Sequence, residues 1–295
     1  MLIFDSLQLA ALAAVHRRGS FDLAAADLGI TQSAVSQRLR ALEERAGTLL
    51  IRRGSPSVAT GAGLRLIRHF DEVVLLERQL AEDLPGVQAG AVNLRIAVNA
   101  DSLATWVMPA LVQVPGVLFD LVIDDQDFSQ DWLRRGEVVA AVTAHAGPLQ
   151  GCDTLPLGAL RYRATASPGY MAQWFPCGVT ALALSRAPAL TYSDKDRLQA
   201  QWVAAQGFGA GTLFPSHRIA STHGFVDACL SGLGWGLNPE PLVASHLAAG
   251  RLVEVVAQSP LDVALHWQFA RLTAPAITPL TRAMRAAAAQ MLRLQ

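Results

Sequence analysis

The stretch SFDLAAADLGITQSAVSQRLRALEERA, residues 20–46, decides how the front of this chain folds. Ser20 precedes Phe21, Ala24, Ala25 and Leu28, an i, i+3, i+4, i+7 apolar stripe, and so reads as a helix cap. Gly29 closes that helix, because the chain turns there through a left-handed residue that glycine adopts without a Cβ clash. Thr31 caps a further helix whose inner stripe is Val35, Leu39, Leu42 and Ala46. Two helices joined by so short a turn form a helix-turn-helix pattern. Gln32, Ser33, Ser36, Gln37 and Arg40 share the face opposite the stripe. Gln and Arg reach base edges in the major groove through paired hydrogen bonds, and Ser contacts bases or phosphates. The competing reading is a plain solvated polar face.

Upstream, Leu9, Leu12 and Val15 predict a helix that stops at Arg17-Arg18-Gly19. Downstream, residues 50–58 read as a short hairpin, or wing, whose Arg52 and Arg53 weigh against a merely solvated surface. Thr60 starts a long helix to about Asp83, with Leu66, Phe70, Val73, Leu80 and Leu84 at helical spacing. Such a stripe seeks a partner helix, so Leu66, Phe70, Val73 and Leu80 are candidate dimerisation residues. A linker is expected from Pro85-Gly86 to Gly90.

Beyond residue 90 the texture alternates between strands and helices. Strands are expected at 92–98, 118–124, 138–143, 189–192, 218–220, 234–237, 252–255 and 265–271, with a crossover near 161–165. Helices fill the gaps, among them 102–111, 129–135 and a last one over 279–294. This implies a mainly parallel sheet covered on both faces, in two lobes with a cleft between them. The expected fold is therefore α+β and multi-domain. A winged helix-turn-helix spans 1–60, a linker helix and hinge 61–90, and a two-lobed α/β domain 91–295. Within the last, one lobe takes about 91–161 and 266–295, the other about 162–265.

Bulk composition agrees with a folded multi-domain chain. Of 295 residues, 52% are hydrophobic and 16% charged, which supplies cores and argues against disorder. Residues 1–60 carry seven Arg against five acidic side chains, net +2, and the rest is net −2: a weakly basic head on a weakly acidic body. No apolar run reaches the roughly 18 residues of a membrane span, and Asp5 with no basic start is unlike a signal peptide. Cys152, Cys177 and Cys229 are odd in number and widely spaced, so buried free thiols in a reducing cytosol are expected. No metal-ligand spacing among the seven His and no G-x-S-x-G elbow favours a metal site or hydrolysis. The glycines of Gly232-Leu233-Gly234-Trp235-Gly236 follow a helix and enter a strand, the reverse of a dinucleotide fingerprint, and read as a helix stop.

Ser20-Phe21, Ala24-Ala25-Ala26, Thr31-Gln32-Ser33-Ala34-Val35-Ser36-Gln37-Arg38 and Leu42-Glu43 together resemble the signature of LysR-type transcriptional regulators. The resemblance covers essentially 1–295. It implies a winged helix-turn-helix, a dimerising linker helix and a two-lobed effector domain of periplasmic-binding-protein type, commonly in dimers of dimers. A second block, Ala97-Val98-Asn99-Ala100-Asp101-Ser102-Leu103-Ala104-Thr105-Trp106 with Leu133-Arg134-Arg135-Gly136-Glu137-Val138-Val139, is similar to the ArgP/IciA/LysG subgroup. That likeness implies lysine or arginine as effector and control of a basic amino-acid exporter gene.

The residues bear the same reading. A helix start near Ser102 offers amides and a hydroxyl to a ligand carboxylate, and Asp101 suits an α-ammonium, unless either residue is simply an N-cap. Asp124 and Asp125 lie at a strand's carboxyl end, where ligands of open α/β sheets bind, and suit a distal cation; a solvated acidic turn is the alternative. Ser221 and Thr222 stand before a helix as a further clamp, or as caps, with His223 and Gly224 following. The candidate effector residues are thus Asn99, Asp101, Ser102, Thr105, Asp124, Asp125, Ser221 and Thr222. The candidate DNA contacts are Gln32, Ser33, Ser36, Gln37, Arg38, Arg40, Arg52 and Arg53. The sequence leads to a cytoplasmic, non-enzymatic DNA-binding regulator without cofactor or metal. Its expected partners are operator DNA and itself as dimer or tetramer, with RNA polymerase a further candidate and no membrane. The rival is a two-lobed solute-binding protein or enzyme using the α/β region alone.

Overall fold

In a computed structural model the described residues are 4–84, 90–124, 129–147, 149–209, 211 and 213–294. Asp5 caps α1 (Ser6–Arg18), its carboxylate accepting from the amides of Leu7 and Gln8. After α2 (Phe21–Leu28), Gly29 at φ 63° turns the chain into α3 (Gln32–Ala46), where Thr31 Oγ1 accepts from Ala34 N at 3.2 Å. Ser20 stands at the N-cap position of α2 but makes no side-chain cap bond; burial of Ala24 and Ala25 holds that helix instead. β1 (Ile51–Arg52) and β2 (Val58–Ala59) form an antiparallel wing. Glu43 of α3 accepts from the amides of Leu50 and Ile51 at 2.8 and 3.2 Å, tying wing to helix. α4 (Gly61–Asp83) then starts so close to the wing that a Cβ on Gly63 would stand 2.2 Å from Leu50 O. Val35, Leu39 and Leu42 pack with Leu12, Val15 and Leu50 in one core. Each such burial contributes about 1.5–3 kcal/mol.

α4 passes along two cores. Leu64, Leu66, Ile67 and Phe70 pack against the N-terminal core, whereas Val74 and Leu75 join that of the α/β region. Arg17 pairs with Asp71, and Arg78 donates to the carbonyls of Pro115 and Gly116, fixing the helix at its middle and in its second half. Of the four residues expected at a dimer seam, Leu66 and Phe70 are therefore half-buried against the N-terminal core, and Val73 is half-buried as well. The exposed apolar edge is Leu76, Leu80 and Leu84, at 39, 59 and 47% exposure. The stripe is one face of α4, but its first turns are spent on the N-terminal core and only its later turns are left exposed.

The α/β region continues in chain order with β3 (Val92–Val98), α5 (Ala100–Ser102), a π-helical turn (Leu103–Val107), α6 (Met108–Val112), β4 (Val117–Ile123), α7 (Ser129–Arg135), β5 (Ala140–Thr143) and β6 (Cys152–Ala166). It goes on with α8 (Pro168–Trp174), α9 (Ala181–Leu184), β7 (Ala189–Thr191), α10 (Leu198–Ala205), β8 (Ser216–Arg218), α11 (Thr222–Leu230), β9 (Gly236–Pro239) and α12 (Glu240–Ala248). β10 (Val253–Glu254), β11 (Leu261–Ala270) and α13 (Thr278–Met291) close the chain. The main sheet runs β10-β6-β11-β5-β3-β4, with β9 also on β6; β7 and β8 form a small parallel sheet.

The sheet is mixed, not mainly parallel. β3 is parallel to β4 and β5, but β11 is antiparallel to β5 and β6, and β9 and β10 are antiparallel to β6. The cause is the 15-residue β6, which with β11 carries the chain from one lobe to the other and back. Only 161–165 of it was expected; Pro156 and Gly158, which locally disfavour a strand, lie inside it. The ladder absorbs them through a register shift between Leu265 and His266, opposite Gly158 and Pro156. The expected lobe junctions fall inside these crossing strands. Trp106, Trp202, Trp235 and Trp267 are fully buried in the α/β region. No helix among the described residues is long and apolar enough to cross a membrane.

Candidate functional site

Two surfaces carry the chemistry. On α3, Gln32, Ser33, Gln37 and Arg40 are exposed, while Ser36 and Arg38 are half-buried. One helix presents all six, and its fully buried Val35 and Leu42 clamp it from behind. Ser33 Oγ lies 3.0 Å from Thr31 Oγ1, and Arg40 Nε donates to Glu44 at 3.0 Å in an exposed i, i+4 pair. Such a pair is worth a few tenths of a kcal/mol, about 0.3–0.5, so a phosphate can readily replace Glu44. Arg52 and Arg53 are exposed on the wing, and the Arg53 guanidinium stacks over Phe21 at 5.1 Å.

The second surface is a cavity between the lobes. The first lobe supplies Asn99, Ala100 and Asp101, after β3, and Asp124, after β4. The second supplies Tyr192, Asp196 and Leu198, after β7, with Thr222 and Phe225 on α11 and Leu237, Asn238 and Pro239 on β9. Asp101 sits at the junction. Tyr162 Oη, on the crossing strand β6, donates to its Oδ2 at 2.8 Å, and Thr222 Oγ1 donates to its Oδ1 at 2.8 Å. Burial pushes the Asp101 carboxyl above the ordinary aspartate value, while the two hydroxyl donors pull it back and Asp196 adds to the rise. Burial and the charge of Asp101 likewise raise the Tyr192 phenol.

Asp124 accepts from Trp132 Nε1 at 2.9 Å on one oxygen and from Lys195 Nζ at 3.1 Å on the other. Asp196 is held by the amides of Tyr192 and Leu198 at 2.8 and 3.0 Å. Asn238 is fully buried; its Nδ2 donates to Thr165 Oγ1 and Cys229 Sγ, and its Oδ1 accepts no hydrogen bond among the described residues. Three carboxylates thus face one cavity, and none of its lining residues is basic.

Of the eight sequence candidates, Asn99, Asp101, Asp124 and Thr222 line the cavity. Three do not. The helix after β3 begins at Ala100 rather than near Ser102, which turns Ser102 inward, where it is fully buried. Thr105 lies in the π-helical turn and spends its hydroxyl on the carbonyl of Asp101 at 2.6 Å. Ser221 caps α11, accepting from Gly224 N at 3.2 Å, and His223 is exposed beside it. Asp125 lies outside the described residues.

Tyr162, Tyr192, Asp196 and Asn238 were missed. A signal existed for two of them. Asp196 follows a strand as Asp124 does, and Asn238 is a lone polar side chain in an apolar strand.

Among the described residues no grouping of His, Cys, Asp and Glu suits a metal. All three thiols are free, but only Cys229 is buried, its thiol pushed by that burial up to about 11; Cys152 is half-buried. Cys177 is exposed because it falls in the turn after α8.

Residues 7–64 match the family model of the bacterial regulatory helix-turn-helix protein, lysR family, and residues 89–293 match the LysR substrate binding domain. The HTH-type transcriptional regulator ArgP of Pseudomonas aeruginosa (strain UCBPP-PA14) is 42% identical over 293 residues, which cover 98% of this chain and 97% of the relative. The crystal structure of ArgP from Mycobacterium tuberculosis superposes with a TM-score of 0.80 at 42% identity, covering 98% of each chain. Full-length LysG from Corynebacterium glutamicum with bound effector Arg superposes with a TM-score of 0.70 at 35% identity, covering 98% of this chain and 100% of that one.

Proposed function

Because the chain belongs to the LysR family of transcriptional regulators, we propose that its inter-lobe cleft is an effector site for lysine or arginine. The observation that carries this is the triad of carboxylates, Asp101, Asp124 and Asp196, lining one cavity, where Asp124 already accepts from a cation, the Lys195 ammonium. A basic amino acid brings two cations and one carboxylate. Asp124, between the lobes and at the sheet edge, takes the distal cation. Asp101 and Asp196 take the α-ammonium. The amides at the starts of α5 and α11, with the Asn99 and Asn238 side chains, receive the carboxylate. Ser102, Thr105 and Ser221 build the frame of the site. LysG with bound effector Arg, a relative of the same family, supports the choice of ligand class.

Gln32, Ser33, Ser36, Gln37, Arg38 and Arg40 read the operator in the major groove, and Arg52 and Arg53 hold phosphates. Two copies join along α4 through Leu76, Leu80 and Leu84, with Val73 beside them, and pairs of dimers form tetramers. The exposed polar face of one recognition helix per protomer then meets two half-sites about 34–36 Å apart. Effector binding changes the lobe arrangement and so the geometry of the recognition helices, in the cytoplasm, at the promoter of an amino-acid exporter gene. RNA polymerase is the further partner this implies, and no cofactor is required.

Titration calorimetry of the full chain tests the effector. Lysine or arginine releases heat with a one-to-one end point, and norleucine, which lacks the distal charge, does not bind. Asp124→Asn weakens the basic ligand by about tenfold or more, since an unpaired buried charge costs about 2–5 kcal/mol and this one is partly solvated. Equal binding of norleucine would falsify the assignment of the cleft to basic amino acids.

A further inference from the structure

The chain has 23 arginines and one lysine, Lys195. Arginine supplies every cationic side chain of Lys/Arg type in the DNA-facing unit, yet the single lysine lies in the loop between β7 and α10. It stands next to Asp196, which lines the cleft, and its Nζ reaches Asp124 Oδ1 across the cleft at 3.1 Å. The ammonium thereby joins the Thr222–Asp101 hydrogen bond as a polar contact between the lobes. Trp132 fixes the other oxygen of Asp124, so the carboxylate is already oriented toward a cation. Lys195 is 47% and Asp124 20% exposed, which makes the pair water-screened and separable. Lysine is also the side chain for such a contact, a point charge on a flexible stem, where an arginine fork would lock. Asn238, in the lining of the same cavity, is fully buried, and its Oδ1 accepts no hydrogen bond among the described residues.

We propose that Lys195 is a tethered competitor for the effector: its ammonium takes the place on Asp124 that the distal cation of a basic amino acid takes when bound. This rests on the cleft reading above. Entry of the effector exchanges one cation for another on Asp124 and releases the loop that carries Lys195. A neutral amino acid has nothing to exchange and leaves the bridge in place. The tether sets the concentration at which the regulator responds, and it converts occupancy into loss of a contact between lobes, the differential interaction that a switch needs.

Calorimetry with L-arginine on the full chain and on Lys195→Met and Lys195→Arg tests this. Methionine keeps the stem and loses the charge, so arginine binds the Met variant more tightly by about two- to fivefold, the worth of a partly exposed ion pair. The Arg variant, which keeps a cation there, binds no more tightly than wild type. Reductive methylation with carbon-13 formaldehyde gives the protein a single side-chain amine signal, assigned by its loss in Lys195→Arg. That signal shifts on saturation with L-arginine and stays still with norleucine. If wild type binds arginine but the Met variant binds equally or more weakly, or the signal does not move, the tether is wrong and Lys195 is inert or a direct contact. If wild type binds neither lysine nor arginine, the cleft reading falls and the tether with it.

Discussion

The recognition surface and the cleft are built by opposite means. All six candidate base-reading side chains come from one helix within nine residues, 32–40, and the helix needs only its own caps and stripe to present them. The cleft draws on five separate segments, from Asn99 to Pro239, and Asp101 is bonded to Tyr162 and Thr222, 61 and 121 residues away. A local surface tolerates change elsewhere in the molecule. An assembled one is sensitive to the lobes that meet there, and that sensitivity lets it report a ligand. α4 lies between them, packed on both cores, so a change of arrangement in one region has a mechanical path to the other.

That contrast can be broken at three places. The largest effect is expected at the connection: Leu80→Asp puts a charge into the proposed seam twice per dimer. Losing two buried leucines costs about 3–6 kcal/mol of association. Sedimentation then shows monomer at micromolar concentration where wild type is dimeric, while arginine binding per chain is unchanged. A variant that stays dimeric moves the seam off this edge of α4. Next, Gln32→Ala costs about 1–3 kcal/mol on the operator and relaxes its sequence choice. Affinity for arginine stays as it was, because the surface is local. A parallel loss of arginine affinity in that variant would show that the two regions are not separable.

The smallest effect sharpens the account of the cleft. Asp101 has a raised value in the folded protein, so its contribution to stability is full below about pH 3.9, the ordinary aspartate value, and is lost as pH climbs through the raised one. Asp101→Asn removes that decline. Urea unfolding of the α/β transition from pH 4 to 8 therefore gives a flatter profile for the variant than for wild type. Parallel profiles would mean that Asp101 folds with an ordinary proton affinity.

The sequence by itself determined the elements whose logic is local. The helix-turn-helix was legible because Gly29, Thr31 and the Val35, Leu39, Leu42 stripe all act within a few residues of one another. The positions after β3 and β4 were legible too, since strand ends carry ligand groups in open sheets, and Asn99, Asp101 and Asp124 followed from that. What depends on distant packing was decided only in three dimensions. Pro156 and Gly158 hid the length of β6, because a ladder partner 101 residues on, as Asp262 is to Arg161, supplies the support their local propensity lacks. Ser102 and Ser221 look like ligand groups in sequence, but a shift of two residues in one helix start and one cap bond remove them from the cavity. Tyr162 reaches Asp101, and Asp196 the cavity, because crossing strands bring the lobes together, and the role of the one lysine exists only where its loop meets Asp124. Side chains separated by some seventy residues share no local period, so only the tertiary fold, which closes that loop at an entropic cost offset by the buried core, could place them face to face.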